Sequence, residues 1–280
     1  MLRTLVLAGV VSVCGGSALR GAPRGRILSG TEATPLQFPF LVFLRVGKPN
    51  VTFVCGGILL DVQRVLTAAH CLDDVQQPQD ITAVAGEHDF VTEEGEEQTR
   101  VVEAMWTHNH FQGDPKLAAD LAILEVLEPF VLAGSLKTAP LADEEPVDGT
   151  VCTAAGWGTT AEFGEVSPVL LTADLTVVKR SRCRETIVTH RPTAIVDESV
   201  ICAGGDGVHD TCEGDSGGPL VCEGVVAGMV SWGVGCGHFG VPAVYTSVPH
   251  WRDWIAAHQN ATSDPASQLL IPTQQNMTLT

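Results

Sequence analysis

From Pro39 onward, short apolar runs alternate with turn residues. Phe40-Leu41-Val42-Phe43-Leu44, Gly57-Ile58-Leu59-Leu60 and Arg64-Val65-Leu66-Thr67 read as strands bounded by Gly, Pro and polar clusters. No run has the length of an ordinary helix before residue 248; only short turns are expected after His70 and near Cys183. Between Val248 and His258, Trp251, Trp254 and Ile255 recur on one face at helical spacing. Leu132 to Pro146 lacks periodicity, holds two prolines and ends in three consecutive acids, as a strap between two units does. The pattern predicts an all-β chain closed by a C-terminal helix over about 249–259, with a polar, disordered tail over 260–280.

The first residues follow another pattern. Met1-Leu2-Arg3, an apolar stretch from Leu5 to Val13 and small residues at Gly16-Ser17-Ala18 read as a signal peptide over 1–18. The apolar stretch is far below the ~18 residues that a membrane-spanning helix needs. A secreted, extracellular protein is expected, and the nine cysteines suit that compartment. Cys14 falls in the signal peptide; the remaining eight allow 105 pairings, which residues alone do not resolve. Without a CxxC pair, a metal-cluster reading fails. Formal charge is −17; residues 1–26 contain four arginines and no acids, so the rest holds 12 basic and 33 acidic residues, −21. Such a balance argues against nucleic acid and anionic membranes as partners. A solvated acidic surface accounts for it without further function.

The candidate chemistry centres on Asp210-Thr211-Cys212-Glu213-Gly214-Asp215-Ser216-Gly217-Gly218-Pro219-Leu220. A serine hydroxyl needs a base and a rigid, exposed perch to act as a nucleophile. Glycines on both sides of Ser216 permit a tight turn that aims the amides of Gly214 and Ser216 at one point, where an oxyanion can be held. Eleven matching positions make this stretch resemble the nucleophile loop of the trypsin-like serine proteases. Leu66-Thr67-Ala68-Ala69-His70-Cys71 resembles that family's histidine motif, and Asp120-Leu121-Ala122-Ile123-Leu124 its aspartate motif. The resemblance runs over about residues 27–259. It implies a catalytic triad of His70, Asp120 and Ser216, and two antiparallel six-stranded β-barrels, about 27–140 and 147–248, with the active site in the cleft between them.

Further expectations follow from the resemblance. It implies the disulfides Cys55–Cys71, Cys152–Cys222, Cys183–Cys202 and Cys212–Cys236. Gly25-Arg26 before Ile27-Leu28-Ser29-Gly30 resembles the family's activation site, which makes 19–26 a propeptide; a cut after Arg26 would free an Ile27 amine to pair with Asp215. Ser29 stands where glycine is usual. Asp210, six residues before Ser216, would lie at the base of a pocket for Arg or Lys. Ser231, Trp232 and Gly233 would form its edge, and Ser231 would also bond Asp120. Ala243 replaces a usual glycine and should narrow the pocket towards Arg.

Six carboxylates crowd residues 87–97. Taken alone they make either a solvated tip or a cage for a hard cation. The resemblance implies structural calcium held by Glu87, Glu94 and Glu97 and by the carbonyls of Asp89 and Thr92. His108 and His110 read as part of a polar loop near the cleft. Asn50, Asn260 and Asn276 open glycosylation sequons. The expected protein is a monomeric zymogen of a serine endopeptidase, with no catalytic cofactor, meeting protein substrates, an activating protease and protein inhibitors. The calcium loop fits a digestive or broadly acting enzyme. The long Cys183–Cys202 loop and Ala243 fit a narrow regulatory protease, and a non-catalytic binding homologue is the alternative of another class.

Overall fold

The computed structural model describes residues 30–49, 51–134 and 136–259. Strands β2 (Leu41–Lys48), β3 (Val51–Leu59), β4 (Arg64–Thr67), β5 (Ile81–Ala85), β6 (Gln98–Thr107) and β7 (Ala122–Val126) close into an antiparallel barrel in the order β2-β3-β4-β7-β6-β5. A second barrel contains β8 (Val151–Gly156), β9 (Leu171–Val178), β10 (Val200–Ala203), β11 (Pro219–Cys222), β12 (Val225–Trp232) and β13 (Ala243–Ser247). Its order is β9-β10-β13-β12-β11-β8, with β8 returning to β9. The all-β expectation holds, as does the helix at the end, α2 (Arg252–Gln259).

Two elements depart from the sequence reading. Strand β1 (Thr31–Glu32) lies early in the chain yet pairs with β9 of the second barrel, Thr31 opposite Thr172. Near Cys183 the chain forms an 11-residue helix, α1 (Arg180–His190), where only a short turn was expected. Just Cys183 and Ile187 of α1 are buried, one turn apart, so the segment lacks the apolar stripe by which helices are recognised. Tertiary contact supplies what the pattern lacks: both residues pack with Val196, Val200, Cys202 and Val244.

The larger core runs through the first barrel and continues into the second half of the chain. Phe43 stacks on Phe90 at 5.2 Å and meets Trp157 edge-on at 5.1 Å between ring centres. Trp157 is fully buried and donates its indole N–H to the carbonyl of His88 at 3.0 Å, the partner a buried tryptophan needs. Ile255 of α2 is buried in the same core, with Trp251 and Trp254 packed against it. The strap joins in as a parallel bridge between Leu141 and Val226, with Ala142 N–H bonded to Val226 and Val226 N–H to Pro140. All four expected disulfides are present.

Phe43→Ala removes a buried ring touching two others and is expected to cost ~3–5 kcal/mol. Phe163→Ala, at a side chain 91% exposed, should stay within ~0.5 kcal/mol. Denaturant midpoints with the disulfides intact check both.

Candidate active site

Strand register brings the first two groups together. In the antiparallel pair β4–β7, Thr67 lies opposite Ala122. His70 follows Thr67 by three residues, in the 3-10 turn Ala69–Leu72, and Asp120 precedes Ala122 by two, so both leave the same end of the ladder. Asp120 Oδ1 accepts the backbone N–H of His70 at 2.9 Å, and Oδ2 lies 2.7 Å from His70 Nδ1. The Cys55–Cys71 bond ties the histidine turn to β3.

The second barrel completes the arrangement. Between β12 and β13 the register slips, with Val230 opposite Tyr245 and Trp232 opposite Val244. Ser231 is thus the extra residue of a bulge, a device that re-aims a side chain. Its hydroxyl donates to Asp120 Oδ2 at 2.5 Å, as expected from the sequence. Thr246 Oγ1 also donates to the carbonyl of Asp120 at 2.9 Å, a contact that no local signal announces. Burial alone would raise the Asp120 pKa, but the His70 charge and hydrogen bonds from His70 and Ser231 hold it below the usual range. Burial alone would lower His70; the charge and hydrogen bond of Asp120 outweigh it and raise the imidazole above its ordinary value. Nε2 is left as the proton-accepting position, available on the alkaline side of that raised value.

Ser216 is seated by backbone contact. Gly56 N–H donates to the Ser216 carbonyl at 2.7 Å, and Gly217 N–H donates to Val230 at 2.8 Å. Gly217 has φ +81°, and a Cβ there would lie 2.3 Å from the Gly56 carbonyl and 2.4 Å from Thr67 Oγ1. Only glycine allows the serine loop to lie this close to β3 and the end of β4, which lead into the histidine turn. Among the described residues, no hydrogen bond occupies the amide of Gly214 or of Ser216.

Asp215 is buried beneath the loop. Its carboxylate accepts Gly158 N–H at 2.8 Å and Cys212 N–H at 2.9 Å. A Cβ on Gly156 or Gly158 would come within 2.2 or 2.4 Å of the carboxyl group, so these two glycines are the floor on which Asp215 rests. Burial drives its pKa to about 7, against the pull of the two amides and with the charges of Asp210 and Glu213 adding to the rise. Asp210 is 4% exposed and accepts Thr211 N–H at 2.9 Å and Gly237 N–H at 2.7 Å; burial raises it to about 6. Ala243 is buried in β13 opposite Ala203, Trp232 is partly buried and Gly233 follows β12.

The acidic loop is less closed than the sequence suggested. Both Glu97 oxygens are taken by the loop's own amides, Glu94 N–H at 2.5 Å and Gly95 N–H at 2.7 Å, and the Asp89 carbonyl accepts Thr92 N–H at 2.9 Å. Glu87 is raised by burial, with the charges of Glu97 and Glu94 adding to the rise. The hard oxygen donors and this repulsion fit a cation such as calcium, while the three carboxylates stand apart. Among the described residues the only group of three ligand-type side chains close enough to share an ion is Cys212, Glu213 and Cys236, and its two sulfurs are bonded to each other. His108 is buried, not a polar loop tip: it packs against Trp251 and Trp254 at 4.6 and 5.2 Å, and burial lowers it to about 4. Arg26, Ile27, Asn50, Asn260, Asn276 and the signal sequence lie outside the described residues. Among the described residues no helix is long and apolar enough to cross a membrane.

A profile of the Trypsin family matches residues 27–255. The chain is 36% identical over 248 residues to trypsin-1 of Astacus astacus, covering 83% of this chain and 99% of that one. It is 33% identical over 263 residues to trypsin eta of Drosophila erecta, covering 92% and 98%. Ovochymase-2 of Mus musculus is 30% identical over 271 residues, which make up 88% of this chain but only 44% of that longer protein. Among solved structures, neuropsin, a serine protease expressed in the limbic system of mouse brain, superposes with a TM-score of 0.72 at 29% identity over 82% of this chain and 99% of its own.

A carboxyl raised to about 7 keeps its proton in the folded state at pH values where the unfolded chain has lost it. Its contribution to stability is therefore present at low pH and declines as pH rises from about 4 to about 7. Relative to the wild-type uncut chain, Asp215→Asn should gain stability as pH rises from about 4 to about 7 and level off above that. Parallel pH profiles for the two would remove the buried-acid assignment.

Proposed function

The chain belongs to the trypsin family of serine proteases, and from that premise we propose that it is an endopeptidase cutting after Arg or Lys, secreted as a precursor and activated by a cut after Arg26. Membership makes it a hydrolase of protein substrates that needs no catalytic cofactor. The observation that carries the catalytic part of this reading is the buried Asp120 carboxylate, bonded to His70 on one side and Ser231 on the other, with the Ser216 loop seated on the strands that lead into His70; the buried Asp210 carries the Arg or Lys selection.

Ser216 Oγ attacks the carbonyl carbon of the peptide bond and passes its proton to His70 Nε2, while Asp120 holds the Nδ1–H and steadies the imidazolium. The tetrahedral oxyanion is held by the amides of Gly214 and Ser216. His70 then gives the proton to the departing amine, leaving an ester on Ser216. Water attacks this ester with His70 again taking the proton, and Ser216 leaves as the free alcohol. Asp210 supports Arg or Lys selection, because a buried carboxylate left facing a neutral side chain stays desolvated and unpaired. The Ala243 methyl favours Arg, whose planar fork can pair bidentately. A new Ile27 amine would relieve the burial cost that Asp215 carries, and so order the loop it underlies. Calcium in the acidic loop would be held by Glu87, Glu94, Glu97 and the carbonyls of Asp89 and Thr92, offsetting repulsion around Glu87.

Peptides with Arg, Lys, Phe or Ala before the scissile bond should be cut only after Arg and Lys, Arg faster, and only once Arg26–Ile27 is cleaved. Ser216→Ala should lower kcat by roughly 10⁵-fold or more, the scale known for such serines. Silence on all four after confirmed cleavage would overturn the reading, and equal turnover of Arg and Lys would remove the role given to Ala243. Separately, calcium should raise the thermal midpoint of the wild type and leave Glu97→Gln unmoved. The same midpoint in calcium and in chelator eliminates that site.

A further inference from the structure

The edge of β12 beyond its bulge is open. Strand β11 pairs β12 only as far as Met229, and Gly217 and Gly218 bond Val230. From Ser231 to Gly233 that side has no strand partner among the described residues, so an extended peptide can add there. Trp232 stands at the centre of this edge.

Two distant segments meet above it. Arg191 caps the C-terminal end of α1, its N–H bonded to the Ile187 carbonyl, and the chain turns back through Ala194. Ile195 N–H then donates to the Lys116 carbonyl at 3.0 Å, which fastens the Cys183–Cys202 loop to the loop after β6. Arg191 Nη1 donates to Asp114 Oδ1 at 2.6 Å across the same junction, and the guanidinium carbon lies 5.9 Å from the centre of the Trp232 ring. The stacked arginine is thus held in place from two sides.

We propose that Arg191 is a specificity-determining residue that favours substrates carrying Asp or Glu two to four residues before the cut bond. The inference rests on the endopeptidase reading above. Asp114 is the one carboxylate that Arg191 bonds among the described residues, and its side chain is 73% exposed. An exposed pair of that kind is weak. It leaves most of the guanidinium's five donors for a second carboxylate, which a planar fork can grip through two parallel bonds. Lys116, exposed on the adjoining loop, adds a second cation, so the ledge is locally basic. The chain from residue 27 as a whole, Arg191 and Lys116 included, carries a formal −21 and repels acidic peptides, which makes the ledge the exception.

The test uses the full chain, cut after Arg26, and a peptide set with Arg before the scissile bond and Glu, Ala or Lys at each of the second, third and fourth positions upstream. At one of these positions Glu should exceed Lys in kcat/KM by about tenfold at low salt, with the gap shrinking as salt rises. Arg191→Glu should invert the order, and Arg191→Lys should keep the direction with a smaller gap. A purely structural role for Arg191 predicts no inversion of charge preference. Cleavage of the Arg peptides with a flat upstream profile, or with a profile that Arg191→Glu leaves unchanged, refutes this inference while the endopeptidase reading stands. Silence on every peptide overturns both.

Discussion

A carboxylate buried at the seam between two barrels sets the terms for the rest of the molecule. Removing a charge from water costs several kcal/mol unless hydrogen bonds and an opposite charge replace the lost solvent. Asp120 obtains its replacements from both sides: the first barrel supplies the amide and imidazole of His70, the second the hydroxyl of Ser231, while Thr246 of the second barrel bonds the backbone carbonyl of the same residue. Drawing the barrels apart would expose or orphan that charge. Cohesion between the halves and the orientation of His70 are therefore one interaction seen from two directions.

The other two buried acids of the site are satisfied in a different way. Asp210 and Asp215 receive backbone amides, which offset part of the burial and leave both carboxyls raised, to about 6 and about 7. Asp120, with a titratable base beside it, is lowered. The difference follows from what each faces: amides are dipoles and only partly compensate a buried charge, whereas an imidazole can take up a proton and become a counter-ion.

Much of this was legible in the sequence, because the chemistry is concentrated in contiguous motifs. The loop around Ser216, the turn at His70 and the strand start at Asp120 each carry their own local signal, and alternating apolar runs give the strands. What escaped depends on partners distant in sequence. Gly156 and Gly158 read as ordinary glycines until Asp215, some 57 residues on, lies on them. His108 sits in a polar stretch, and its burial comes from Trp251 and Trp254. Helix α1 has too narrow an apolar face to be seen, and Arg191 has meaning only beside Trp232 and Asp114. The bulge at Ser231 shows how little suffices: one extra residue between two in-register pairs turns a strand residue towards Asp120.

The two-residue strand β1 has a consequence out of proportion to its size. By pairing with Thr172 it fastens Thr31 to the second barrel. Four residues, Ile27 to Gly30, separate that anchor from the bond after Arg26. Fully extended, they reach at most about 14 Å. A new chain end made there would be held on a short leash, confined to a sphere centred on the second barrel. Whatever receives it must lie inside that radius, and lengthening the leash dilutes the end over a larger volume before it can bind.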